Sequence, residues 1–145
     1  MNEQKKAPKI RYSDIHVGAV HSFERIISRE DVMAFAEVTG DFNPLHTDKV
    51  FGEKSRFKGN IIHGMLAGSL FSALVGMHCP GENSLYLTQT LQFKNPVFPG
   101  DKVIVKGTVT HKNDCIKMIT MNCEILVGGK VAVTGEAKVG VSEND

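Results

Sequence analysis

Residues 61–77 read Ile61-Ile-His-Gly-Met-Leu-Ala-Gly-Ser-Leu-Phe-Ser-Ala-Leu-Val-Gly-Met77, a run of 17 residues with no Asp, Glu, Lys or Arg. A membrane span needs about 20 predominantly apolar residues, and His63, Ser69, Ser72 and three glycines dilute this run, so it predicts no membrane crossing. In a soluble chain a segment that is apolar all round is a core helix. Other elements must then wrap it.

The wrapping is legible downstream. Pro80-Gly81 breaks the helix. Four strand-like runs follow: 84–93, 103–110, 116–127 and 130–141. In the third, Ile119, Met121, Cys123 and Ile125 alternate with polar neighbours at the two-residue period of a half-buried strand. Pro99-Gly-Asp101 and Asn113-Asp114 mark turns, and Gly128-Gly129 is a strong two-residue hairpin signal. The fold class is therefore α+β, an antiparallel sheet around a long central helix.

Upstream, Ala19–Ile27 predicts a first strand. Ser28 followed by Asp31 fits a capping box, opening a helix that puts Val32, Phe35, Ala36 and Val38 on one side. Gly40 ends that helix. A short helical piece is expected around residues 48–54. The chain divides into a flexible N-terminal tail over residues 1–16, one domain over 17–141, and a polar tail over 142–145.

The loop between the two helices carries the chemistry. Asp41 and His46 lie five positions apart, with Asn43 and Pro44 stiffening the turn between them. Two protonatable groups on a rigid loop suit general acid/base catalysis. The plain alternative is an Asx-turn aspartate and a surface histidine. Gly64 opens the apolar helix. An N–H in a first turn lacks an intrahelical acceptor and lies at the positive end of the helix dipole, where it can stabilise a developing oxyanion. A glycine needed only for packing is the rival. Gly64, Gly68, Ser72 and Val75 share a helix face by their spacing, so that face is expected to hold an acyl tunnel whose length Ser72 and Val75 control; ordinary small-residue packing accounts for it equally. His63 reads as a hydrogen-bonded structural histidine.

Composition narrows the rest. Net charge is +1 with 23% charged residues, without the basic excess of a dedicated nucleic-acid binder. Three cysteines, in odd number and without CxxC spacing, indicate a reducing compartment. No secretory signal opens the chain, so a cytoplasmic protein is expected, or one of an organelle matrix if a presequence was removed. None of the six histidines has metal-ligand company, and neither a GxGxxG nor a phosphate-binding loop is present. No metal and no cofactor are expected.

The stretch Phe35-Ala-Glu-Val-Thr-Gly-Asp-Phe-Asn-Pro-Leu-His46 resembles the hydratase-2 signature of the MaoC-like enoyl-thioester hydratases. The likeness continues through Ile62-His-Gly-Met-Leu66, Leu70-Phe-Ser72, Pro80-Gly81, Tyr86-Leu87, Phe93-Lys-Asn-Pro-Val97, Pro99-Gly-Asp101 and Val133-Thr-Gly-Glu-Ala137. It is greatest toward the short, single-domain (R)-specific enoyl-CoA hydratases. The resemblance implies a hot-dog fold, a homodimer with joined sheets, and reversible hydration of trans-2-enoyl thioesters carried by CoA or acyl carrier protein. It also implies Asp41 and His46 as the catalytic pair, Gly64 as oxyanion donor, Asn43 as loop support and Ser72 in the acyl pocket. Asp41 is favoured as base and His46 as the water-orienting acid partner. One departure stands out: the signature usually has Ala or Ser where this chain has Gly52, which is expected to loosen the short helix after the loop. The rivals are a hot-dog thioesterase and a non-catalytic acyl-thioester-binding domain.

Overall fold

A computed structural model describes residues 5–143. After a single 3-10 turn (Tyr12–Asp14), the elements run β1 (Val20–Ile26), α1 (Arg29–Thr39), α2 (Pro44–Thr47), α3 (Lys49–Lys54), α4 (Gly64–Met77), β2 (Ser84–Gln89), β3 (Gln92–Phe93), β4 (Lys102–Asn113), β5 (Met118–Val127) and β6 (Lys130–Val141). The strands form one antiparallel sheet in the order β1-β4-β5-β6-β2, with β3 also paired to β6. This is the expected α+β hot-dog architecture.

Local chemistry explains the elements. Ser28 Oγ accepts from the Asp31 N–H while the Asp31 carboxylate accepts from the Ser28 N–H, so two orphan donors of α1 are satisfied reciprocally. The hydrogen bond from the Ser28 backbone is the main cause holding the Asp31 carboxyl below its usual range. Gly40 closes α1 in the left-handed conformation, φ 78°. Val32 and Ala36 are buried, but Val38 is 85% exposed. Six residues beyond Val32 is 240° around the helix at 100° per residue, so Val38 leaves the apolar stripe.

Helix α4 starts at Gly64, three residues later than the uncharged run begins, because Ile62 donates to Val97 O at 2.8 Å and keeps residues 61–63 extended. Leu66, Ala67, Leu70, Phe71, Leu74 and Val75 are buried against Val103, Val105, Val109, Ile119, Met121, Ile125 and Val139 of the sheet. Each of these side chains larger than alanine contributes roughly 1.5–3 kcal/mol by leaving water. The sheet covers one side of the helix only. Met65, Ser69 and Ser72 are exposed in this chain, so α4 is not wrapped all round as its composition predicted.

The flexible-tail expectation for residues 1–16 fails for its second half. Tyr12 and Ile15 are 4% and 2% exposed and belong to the core. The 3-10 turn sets these two residues, three apart, on one side, and Ile10 N donates to Pro80 O at 3.2 Å. Residues 1–4 and 144–145 lie outside the described residues. Among the described residues no helix is long and apolar enough to cross a membrane.

Candidate active site

The loop after α1 is built from side chain–backbone hydrogen bonds. The Asn43 N–H donates to Asp41 Oδ1 at 3.1 Å, and the Leu45 N–H donates to Asn43 Oδ1 at 3.0 Å. Asn43 is thus the N-cap of α2, with Pro44 in the first helical position, where its missing N–H costs nothing. The support expected of Asn43 has this concrete form. His46 lies on α2 rather than in a loop. Its Nδ1 is 2.8 Å from Ile61 O. A carbonyl only accepts, so in the neutral ring Nδ1 carries the proton and Nε2 is left as a lone pair. Neutral His46 is therefore a proton acceptor at Nε2, and acts as an acid only once protonated. In this tautomer His46 can orient a water by accepting from it at Nε2.

His63 is the hydrogen-bonded structural histidine that the sequence led us to expect, and the structure shows what it holds. It is 2% exposed, and its Nε2 lies 3.0 Å from the Asp41 carbonyl oxygen. By the same reasoning Nε2 donates, which leaves Nδ1 as a buried lone pair without a partner. The ring lies 4.1 Å from that of His46 at 34°, and 4.9 Å from Phe35. Its backbone carbonyl accepts from Leu66 and Ala67, starting α4. One residue thus touches the loop, the His46 ring and the helix that begins with Gly64.

An oxygen of Asp41 and one ring nitrogen each of His46 and His63 all lie within 4.8 Å of one another. A metal ion would need an in-plane lone pair from each imidazole at about 2.0–2.1 Å. The ring centroids are 4.1 Å apart with the planes at 34°, and one nitrogen of each ring is already committed to a backbone carbonyl. The cluster fits proton transfer better than ligation. A cleft of about 430 Å³ opens beside it, lined by His46, Gly64, Ala67, Phe93, Val97 and Val133 among others, with Arg56 and Lys94 on the lining as well. A methyl group on Gly64 would lie 2.9 Å from Phe93 Cε1, so a larger residue there would have to displace the Phe93 ring.

Among the described residues, the cleft beside the dyad does not extend along the expected tunnel face. Ser72 is exposed, Val75 is in the core, and Gly68 is covered by Leu91, whose Cδ1 stands 2.9 Å from the position a Cβ would take. Of the four residues, only Gly64 lines the cleft. Helical spacing put them on one face of an isolated helix; it could not tell that β2–β3 residues fill part of that face.

The chain and its fold have clear relatives. Residues 14–130 match the model of the MaoC like domain. The chain is 43% identical over 126 residues to an (R)-specific enoyl-CoA hydratase of Aeromonas caviae, covering 86% of this chain and 94% of that one. It is 40% identical to a mitochondrial 3-hydroxyacyl-[acyl-carrier-protein] dehydratase of Arabidopsis thaliana, covering 85% and 75%. The structure of an R-hydratase from Pseudomonas aeruginosa in unliganded form superposes with a TM-score of 0.90 at 35% identity, covering 95% and 89%.

Replacing His63 by Ala removes the hydrogen bond to the Asp41 carbonyl and leaves a cavity under His46. The expected loss of stability is about 3 kcal/mol, read from urea unfolding; a change below about 0.5 kcal/mol would show that the ring does not hold the loop.

Proposed function

The chain belongs to the MaoC-like domain family, and from that premise we propose that it is a hydro-lyase that adds water reversibly to trans-2-enoyl thioesters, giving (R)-3-hydroxyacyl thioesters. The carrying observation is the convergence of an Asp41 oxygen and a His46 ring nitrogen, within 4.8 Å, beside a cleft that Gly64 lines. The relatives act on CoA or acyl-carrier-protein thioesters by their names, and either carrier presents the same reacting group.

The mechanism follows from the positions. The thioester carbonyl is received at the Gly64 N–H, at the start of a 14-residue helix. Water is held between the Asp41 carboxylate and His46 Nε2. As its oxygen bonds to C3, the dyad takes one proton, and the C2=C3 π electrons move toward the thioester oxygen. The Gly64 N–H and the helix dipole stabilise that enolate. Collapse of the enolate returns the proton from the dyad to C2 on the same face. Atoms balance: one water enters, and its elements end on C3 and C2. The two groups share one proton and act as a pair. The apolar wall of Ala67, Phe93 and Val133 receives the acyl chain.

A thioesterase would need water delivered to the carbonyl carbon. Here the helix N-terminus is assigned to the carbonyl oxygen, and the dyad stands toward the double bond. No observation favours hydrolysis or passive binding.

We also infer a homodimer joined along β2. This strand is at the sheet edge, and Leu85, Tyr86 and Leu87 are 60%, 36% and 50% exposed on alternate faces. An open apolar edge is a template for a second copy, which would also cover the bare side of α4. The expected compartment is the cytoplasm or an organelle matrix.

Asp41→Asn and His46→Ala should each lower kcat for crotonyl-CoA hydration by on the order of 10²–10⁴, followed as loss of the enoyl-thioester absorbance; activity within a factor of two of wild type would remove either residue from the mechanism. Leu87→Asp should convert the dimer to a monomer in sedimentation equilibrium, and an unchanged dimer would move the interface elsewhere.

A further inference from the structure

Gly52 departs from the Ala or Ser usual in the family's signature, and the structure gives it a partner. A Cβ at Gly52 would lie 2.4 Å from Asn60 Nδ2 and 2.7 Å from the Asn60 backbone nitrogen. Such contacts are forbidden, so the bare α-carbon is what lets Asn60 approach. The expectation was a looser helix; α3 runs unbroken across a buried Gly52. The missing methyl group is replaced by a side-chain amide from eight residues further on.

That amide is 9% exposed and fully engaged. Nδ2 donates to Asp48 O at 2.8 Å and to Leu45 O at 2.9 Å, with Pro44 O at 3.4 Å as a weaker third contact. Oδ1 accepts from Arg29 Nη1 at 3.1 Å, and Arg29 Nη2 donates to Thr47 O at 2.8 Å. The amide can take only this orientation, since guanidinium has no acceptor and the carbonyls have no donor. These carbonyls surround His46. Leu45 and Thr47 flank it in sequence, and Pro44 begins its helix. A four-residue helix leaves most of its carbonyls without an intrahelical donor, and it has almost no stability of its own. Asn60 and Arg29 supply the missing donors from outside.

We propose that Asn60, admitted by Gly52 and oriented by Arg29, is the positioning residue that fixes the helix carrying His46. It touches neither water nor thioester. It acts by holding α2 against the extended segment whose Ile61 carbonyl receives His46 Nδ1. Ile61 follows Asn60 directly, so one short stretch grips both the backbone around His46 and the ring itself. The Gly52/Asn60 combination works as a unit: methyl-bearing residues at position 52 and a buried Asn at position 60 exclude one another.

The inference rests on the hydration reading for its kinetic readout, and a second readout is independent of it. Asn60→Ala and Asn60→Asp are compared with wild type; the Asp variant keeps the size but turns acceptor oxygens toward the Leu45, Asp48 and Pro44 carbonyls. Each should lower kcat for crotonyl-CoA by about 10- to 100-fold, the scale of a misplacement of about 1 Å, with KM within about threefold because no substrate contact is removed. Gly52→Ala should give a similar loss, and Gly52→Ala/Asn60→Ala should be no worse than the poorer single variant, since both break one unit. In each variant the His46 Cε1–H resonance should broaden or split, whether or not substrate is present. If Asn60→Ala keeps kcat within twofold of wild type with an unchanged His46 resonance, or if the two single losses multiply in the double variant, the inference is overturned. If wild type leaves crotonyl-CoA unchanged, the hydration reading falls, and the His46 resonance alone decides the positioning role.

Discussion

Three consecutive residues tie the active-site loop to the rest of the molecule. The Ile61 carbonyl accepts from His46, the Ile62 N–H donates to Val97 on the sheet side, and the His63 ring donates to the Asp41 carbonyl. The His63 backbone then starts α4. Every candidate catalytic atom is therefore referenced to one extended tripeptide. Its own place is fixed by the hydrogen bond to Val97 and by the burial of Ile62 and His63. Loops are ordinarily the least stable parts of a domain. Here the loop is anchored to the buried segment that leads into the core helix.

This anchoring answers a physical problem of the proposed chemistry. Asp41 is exposed and His46 half-buried, and neither sits on a long element. Acid/base catalysis needs the two groups held to within a fraction of an ångström. The loop's internal bonds, from Asn43 to Asp41 and from Leu45 to Asn43, define its shape. The external bonds from His63, Asn60 and Arg29 define where it sits. The tilted contact between the His46 and His63 rings adds a wall that limits rotation of the His46 ring.

Much of this was legible beforehand. The uncharged run, the alternating strands, the capping box at Ser28 and the Gly128-Gly129 turn each rest on a local rule, and the structure bears them out apart from the first three residues and the open side of the core helix. Asp41, His46 and Gly64 stand out in the sequence because their residue types carry recognisable chemistry. What escaped depended on contacts distant in sequence. The role of His63 needs a carbonyl 22 residues away, and that of Asn60 needs one 15 residues back. The burial of Tyr12 and Ile15 was hidden by the lysines preceding them. The Ser72–Val75 tunnel failed because helical periodicity describes a helix alone, whereas Leu91 and the core claim parts of the same surface.

The central claim is that the dyad adds water across the double bond with one shared proton. Hydration of crotonyl-CoA in deuterium oxide tests it most directly. The account predicts a 3-hydroxybutyryl thioester of R configuration, carrying a single deuterium at C2 on the same face as the new hydroxyl group. An S product, deuterium on the opposite face, or release of free CoA without hydration would contradict it.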